Sequence, residues 1–281
     1  MTDTGVYICG CARNCAAHLT RVFLNIDNIS KLFKDFVIIV AHDFSTDNTI
    51  GILLHYQKMY GIKLKIIDNS LPLSHIRTLN ISNARNAILK EIRQRNEPTF
   101  THMIMMDLDD VCAEPMNMEI LKQTIRRNDW DALSFARPDY YDIWALSIAP
   151  YIYSCWHFYP NTEECVTIIK KYVTDKLNKL GDGELLECSS AFNGFAVYKL
   201  SAFANCSYDW KLNNNVKLIN KLYPNMLISN CKTLNKKIHL GEMYKDCSIG
   251  YNSDCEHRKF HMSAILLNNA RIRISPLSIF L

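Results

Sequence analysis

The chain has 281 residues, 48% of them hydrophobic and 21% charged, which allows one large core or two small ones and excludes a disordered protein. A net charge of +4 is too small and too scattered to indicate a nucleic-acid-binding surface, although it suits a site that attracts a phosphate-bearing small molecule. The N-terminus has no basic region ahead of its short apolar run, and no stretch approaches the roughly 18 apolar residues of a membrane span. The sequence therefore predicts no signal peptide, no transmembrane anchor and a cytoplasmic setting. Eleven cysteines, an odd number scattered through strand-like and helix-like segments, read as reduced thiols. Cys9, Cys11 and Cys15 could be taken for a metal site, but no matching CxxC follows, and buried cysteine as a small hydrophobe is the better reading.

In chain order, VYICGC (6–11) predicts a buried strand, and Asn14 is placed to cap a helix with apolar residues from Leu19 to Phe33 at helical spacing. FVIIVAHD (36–43) is a second strand, after which Ser45 or Thr46 can cap a helix carrying Ile50, Leu53 and Leu54. KLKIID (63–68) is a third strand. Residues 69–81 read as a loop, with a helix from Ser82 to about Arg95, and MIMMD (103–107) is the fourth strand. Strands recurring at helix-length intervals predict a mostly parallel sheet covered on both faces, with ligands at the carboxyl ends of the strands.

The second half is less regular. WDALSFARP (130–138) reads as a strand, and the aromatic stretch 140–159 has no clean period. Residues 162–180 form an amphipathic helix, SSAFNGFAVYKL (189–200) a strand with a central glycine, and RIRISPL (271–277) a last strand. Positions 207–239 are Asn- and Lys-rich and carry no pattern.

The chemistry concentrates where the fourth strand ends. Asp107, Asp109 and Asp110 follow a wholly apolar run, and like charges that close repel and lose hydration. Acids at i and i+2 past a strand can converge on one hard cation, and Mn²⁺ or Mg²⁺ takes such oxygens while leaving positions for substrate phosphates. A helix cap or a solvated turn is the alternative use for Asp109 or Asp110. HDFSTDNT (42–49) brings Asp43, Ser45 and Asp47 to the same sheet edge. SNARNAIL (82–89) puts Arg85 and Asn86 on the helix leading to the acidic strand, and CEHRKFH (255–261) adds Glu256, His257 and His261.

This order resembles glycosyltransferases of the GT-A fold, and within them is most similar to the fungal capsule-associated mannosyltransferase group. The residues that carry the resemblance are ARN (84–86), DLDD (107–110), YDIW (141–144), FNGFAVY (192–198) and the late CEH. Two features depart from the pattern: HDFSTD stands in place of a D-D-G-S-x-D turn, and the membrane anchor of eukaryotic members is missing. The resemblance implies one α/β domain, a Rossmann-like GT-A sandwich with a central, mostly parallel mixed sheet. Its nucleotide-binding half would span about 1–115 and its acceptor half about 116–281. It implies metal-dependent transfer of a sugar from a nucleoside diphosphate sugar, UDP-linked first and GDP-linked second, to a hydroxyl of a glycan or glycoprotein.

It also implies roles for single residues. Asp43 lies near the base. Arg77, Arg85 and Asn86 contact the donor or steady the acids. Asp107 meets ribose or metal, Asp109 the metal, and His257 is a further metal ligand. Arg85 could instead pair with Glu91 or Asp110, and His257 could be an ordinary surface histidine. Trp144, Trp156 and Tyr159 form an acceptor platform or belong to the core. Asp142 is a base for an inverting transfer or a helix cap. Asn193 and Gly194 mark a close approach to a sugar or a bulge. A sugar nucleotidyltransferase is the nearest enzymatic alternative, but CGCARNC is a poor glycine-rich loop; a non-catalytic nucleotide- or glycan-binding protein of the same fold is the other. The Asn- and Lys-rich content with no targeting signal also fits a viral or microbial origin.

Overall fold

The computed structural model describes residues 2–68, 73–159, 162–238 and 253–281, apart from the side chains at 156, 158, 159, 162, 237 and 238. The first half alternates as the periodicity predicts: β1 (Gly5–Ala12), α1 (Ala16–Ser30), β2 (Asp35–His42), α2 (Thr49–Tyr60), β3 (Leu64–Asp68), α3 (Arg77–Arg95) and β4 (Phe100–Met106). There follow α4 (Met118–Ile125), β5 (Ala132–Phe135), β6 (Phe158–Tyr159), α5 (Thr162–Leu177), β7 (Leu186–Cys188) and β8 (Phe195–Lys199). The chain ends with α6 (Leu212–Leu222), α7 (Met226–Leu234), β9 (Lys237–Ile238), α8 (Glu256–Asn268) and β10 (Ile272–Ser275).

One eight-stranded sheet, in the order β3-β2-β1-β4-β8-β5-β10-β7, runs through both halves. The first four strands are parallel, as are β5 and β10, whereas β8 pairs antiparallel with both β4 and β5, and β7 antiparallel with β10. Parity along each strand builds two cores. Val6, Ile8, Ile38, Val40, Ile104 and Met106 face one, with α1, α2 and α4, while Tyr7, Cys9, Ile39, Met103 and Met105 face the other, with α3, α5 and α8. Strands buried on both faces explain the unbroken apolar runs in the sequence. The cysteines at 9 and 15 are buried free thiols within these cores. None of the described helices is long and apolar enough to cross a membrane.

Three boundaries differ from the sequence reading. Helix α3 starts at Arg77, not Ser82, and Thr78, Asn80 and Ser82 are buried in its first turns. Polar residues at buried positions hide the apolar period there, and Asn80 accepts from Ser74 N–H at 2.9 Å and donates to Ser74 O at 2.7 Å. Strand β8 begins only at Phe195, because Asn193 (φ +55°) and Gly194 (φ +84°) are left-handed and cannot continue an extended chain. The Asn- and Lys-rich segment folds into α6 and α7, anchored by single buried residues such as Leu212, Ile219 and Leu234.

Candidate active site

The carboxyl ends of β1, β2 and β4 open into a cleft of about 290 Å³ that holds Asp43, Asp107 and Asp109. The loops after β1 and β2 are sewn together at its rim. Asn14 does not cap α1; it is left-handed, its N–H donates to Ser45 Oγ at 3.0 Å, and its Oδ1 accepts from Thr46 N–H at 2.7 Å. Asp47 accepts from Ala16 N–H at 2.9 Å and from Thr49 N–H at 3.0 Å, so one carboxylate serves the first turns of α1 and α2. Neither Ser45 nor Thr46 caps α2. Most of HDFSTDNT is thus a clamp between loops. Within it only Asp43, buried with its N–H on Ala12 O at 3.0 Å, lines the cleft.

The three aspartates have three environments. Asp110 is exposed and starts a 3₁₀ turn. Asp109 caps that turn, its Oδ1 accepting from Val111 N–H at 3.1 Å, and its other oxygen makes no hydrogen bond to a described residue. Burial raises its pKa, the Val111 hydrogen bond opposes that, and the Asp110 charge adds to it. Asp107 continues from β4, with its N–H on Gly194 O at 2.9 Å. Tyr141 donates its hydroxyl to Asp107 Oδ2 at 3.3 Å, and Arg85 Nη2 stands 3.6 Å from Oδ1. Burial pushes the Asp107 carboxyl up to about 7 despite Arg85, with Asp109 and Asp142 adding to the rise. The like-charge cost foreseen in the sequence is therefore present and only partly offset by the chain's own groups.

Arg85 is held from behind. It is buried, pairs with Glu256 and donates to His257 Nε2, with the Phe192 ring centroid 4.8 Å from the guanidinium. The partners foreseen for it, Glu91 and Asp110, are elsewhere: Glu91 binds Arg95 at 2.9 Å. His257 is fully buried and stacks on Phe192 at 4.0 Å. Burial, then Arg85, hold its pKa well below the usual range. Its Nε2 faces a cation, and its Nδ1 is buried without a hydrogen-bond partner. Among the described residues no three His, Cys, Asp or Glu side chains gather around one point. Asp107 and Asp109 carry carboxylate oxygens of the type that Mn²⁺ or Mg²⁺ takes, while His257 is turned toward Arg85.

The remaining predicted residues separate. Arg77 is exposed at the mouth of the cleft, without an ion-pair partner among the described residues, and its charge acts on Asp107. Asn86 is not in the lining; its amide donates to Tyr208 O and accepts from Tyr208 N–H, both at 2.9 Å, tying α3 to the segment before α6. Asp142 lines the cleft and accepts from Ala145 N–H and Asn193 N–H at 3.2 Å each; the residues after it form a turn, so it caps no helix. Burial raises its pKa against those two hydrogen bonds. Trp144 lines the same wall. Trp156 and Tyr159 have side chains outside the described residues. Asn193 and Gly194 lie beneath the site: Asn193 donates to Phe135 O at 2.9 Å, and Gly194 accepts from Asp107, so they support the acids and are absent from the lining.

The family model for glycosyl transferase family 2 matches residues 7–203, well over half of the chain. The chain belongs to glycosyl transferase family 2. No curated protein matches it. Several solved structures resemble this family 2 member. The crystal structure of Staphylococcus aureus TarS 1–349 is 14% identical, with 98% of this chain and 59% of that one covered and a TM-score of 0.44. The mannosyltransferase PcManGT from Pyrobaculum calidifontis, in complex with GDP-Man and Mn²⁺, is 13% identical over 74% of this chain and 48% of its own, with a TM-score of 0.41. Glucosyl-3-phosphoglycerate synthase from Mycobacterium tuberculosis, in complex with UDP, is 11% identical over 79% and 67%, with a TM-score of 0.41. The chain spans about three fifths of the length of the first of these solved chains and about half of the second.

The family 2 region ends just after β8, so Glu256, His257 and the rest of α8 lie beyond it. Sequence reasoning also passed over Arg13 and Tyr141. Arg13 is exposed, lines the cleft and has no ion-pair partner among the described residues. It is the one basic residue in CARNC, and the backbone around it is held by Asp43 N–H on Ala12 O before it and by the Asn14 and Cys15 N–H groups after it. Tyr141 opens the YDIW motif, but sequence reasoning assigned it no role of its own, because its hydroxyl meets Asp107 only across the sheet edge.

Proposed function

We propose that this family 2 protein transfers a sugar from a nucleoside diphosphate sugar, UDP-linked in first preference and GDP-linked in second, to a hydroxyl of a glycan or glycoprotein acceptor. The observation that carries the reading is the half-buried acid pair Asp107 and Asp109 in a cleft whose mouth holds two cations without ion-pair partners among the described residues, Arg13 and Arg77. An Mn²⁺ or Mg²⁺ ion held by the two aspartates supplies Lewis-acid stabilisation of the charge on a departing diphosphate. The chain does the rest. Arg13 and Arg77 neutralise diphosphate oxygens, Asp43 sits near the base, and Arg85 steadies Asp107 from behind. Asp142, with its pKa raised by burial, takes the proton from the acceptor hydroxyl in an inverting transfer, and Trp144 offers a ring face to a sugar.

The whole chain acts as one domain in this reading, with its nucleotide half at about 1–115 and its acceptor half at about 116–281. The closer likeness to the fungal capsule-associated mannosyltransferase group is part of the same reading and rests on the ordered motifs. The test is a thermal-shift screen of nucleotide sugars with and without Mn²⁺, since a ligand that binds only the folded state raises its stability by mass action. Stabilisation by one donor that requires the ion, and is lost in Asp109→Ala, supports the reading. Donor binding that ignores the ion and leads to no donor hydrolysis favours a non-catalytic binding protein.

A further inference from the structure

The first turn of α8 reaches the acceptor wall as well as Arg85. Arg258 is fully buried. Its Nε donates to Asp254 Oδ2 at 2.9 Å, its Nη1 to Leu146 O at 3.1 Å and to the Ser147 hydroxyl, and its Nη2 to Trp144 O at 2.6 Å. Asp254 is fixed in turn by Asn215 Nδ2 and by Cys255 N–H, at 2.9 and 2.8 Å. A guanidinium with this much commitment is a rigid fork, and its prongs fall on one short stretch, Trp144 to Ser147.

That stretch carries the contact that matters. Trp144 C=O and Ala145 N–H belong to one peptide group, and that group is trans. In a trans peptide the oxygen and the hydrogen point to opposite sides. On one side the oxygen accepts from Arg258; on the other the N–H donates to Asp142 Oδ1 at 3.2 Å. The cation thus pulls electron density toward the oxygen and makes the N–H a stronger donor to the carboxylate, the cooperative effect expected of hydrogen bonds in series in a low-dielectric interior. A neutral donor in place of Arg258 would leave the contact but weaken it.

We propose that Arg258 is a positioning residue that orients and polarises the Trp144–Ala145 peptide against Asp142, linking α8 to the acceptor side of the cleft. This rests on the reading of Asp142 as the acceptor's base. Arg258 does not touch the substrate, and it lies outside the segment that the family model matches.

The experiment uses the full chain in four forms: wild type, Arg258→Lys, Asp142→Asn and the double variant. Lysine keeps a positive charge beside Asp254 but cannot span both carbonyls, so this variant is the one expected to fold, as a thermal melt would verify. With the donor identified by the screen, the expected result for Arg258→Lys is a fall in kcat of about 10- to 100-fold, the range typical of groups that orient a functional side chain. The donor KM should change by less than about 2-fold, because the donor side does not depend on this peptide. In the Asp142→Asn background the same change should cost almost nothing more, as expected of residues acting through one group. A full additive loss in the double variant, or a donor KM that moves with kcat, overturns the proposal.

A second measurement needs no turnover. Carboxyl ¹³C NMR, with Asp142→Asn for assignment, follows the titration of Asp142, which is also faced by Asp107, Glu256, Arg85 and Tyr141. Arg258→Lys should move that titration upward while Asp107 stays in place. An unchanged Asp142 titration rejects the link even if the chain proves to transfer no sugar, so the two readings fail separately.

Discussion

Gly194 offers the sharpest test of how the acids are supported. It sits at φ +84° just ahead of β8 and gives its carbonyl to the Asp107 N–H. A Cβ built there would stand 2.6 Å from Tyr141 Oη and 3.5 Å from Asp107 Oδ2, and would overlap Val111 Cγ1. Left-handed backbone costs a non-glycine residue about 1–2 kcal/mol, and overpacking a filled site costs about 1–3 kcal/mol. Gly194→Ala should therefore lose about 2–5 kcal/mol, a large share of the roughly 5–15 kcal/mol that holds a typical domain folded. With a urea slope near 3 kcal/mol/M, the midpoint should drop by about 1 M. Relief of the clash must move Tyr141 or Val111. That takes the hydroxyl off Asp107 or disturbs the turn capped by Asp109, so stabilisation by Mn²⁺ should shrink along with the midpoint. Equilibrium urea unfolding, with and without Mn²⁺, measures both. A variant within about 0.5 kcal/mol of wild type, the usual scatter of surface changes, would refute the strain argument.

Asp109→Asn keeps the acceptor for Val111 N–H and removes a charge that burial disfavours, so stability should hold within about 0.5 kcal/mol while Mn²⁺-dependent stabilisation disappears; an undiminished Mn²⁺ effect in a thermal melt would contradict this. Arg85→Met strands Glu256 as a buried charge and should cost about 3–5 kcal/mol. Arg85→Met/Glu256→Met should recover most of that loss, and a double variant as unstable as the single would count against the pairing. His102, pushed down to about 4 by burial and by Lys199, makes stability depend on pH. The unfolded chain binds the proton more tightly, so stability is complete above about pH 6.5 and declines as pH falls toward about 4, by up to about 3 kcal/mol at about 1.36 kcal/mol per unit. Urea melts at pH 7.5 and 4.5 should show a smaller pH penalty in His102→Gln than in wild type, and equal penalties would remove His102 as the cause.

Periodicity alone located β1, α1, β2, β3, β4, α5 and β10 to within a few residues, because each must present apolar side chains to a core at the spacing of its own geometry. Where buried positions are polar or left-handed, the pattern vanished. The first turns of α3 are filled with Thr78, Asn80 and Ser82, and the turn before β8 depends on two left-handed residues that look like the middle of a strand. HDFSTDNT attracted attention as ligand chemistry, yet most of it secures the loops around Arg13 and Asp43.

What the linear chain determined by itself was the class of fold and the edge where acids would gather, since both follow from local periodicity and from the rule that parallel strands expose ligands at their carboxyl ends. Which residues meet was decided in three dimensions. Arg85 finds Glu256 171 positions away, Tyr141 reaches Asp107 across the sheet edge, and Arg258 addresses Asp142 through a peptide group 114 positions earlier in the chain. Hydrogen bonds and ion pairs act over a few ångströms of space and carry no trace in sequence spacing. Only the closure of one sheet over both halves brings their partners together.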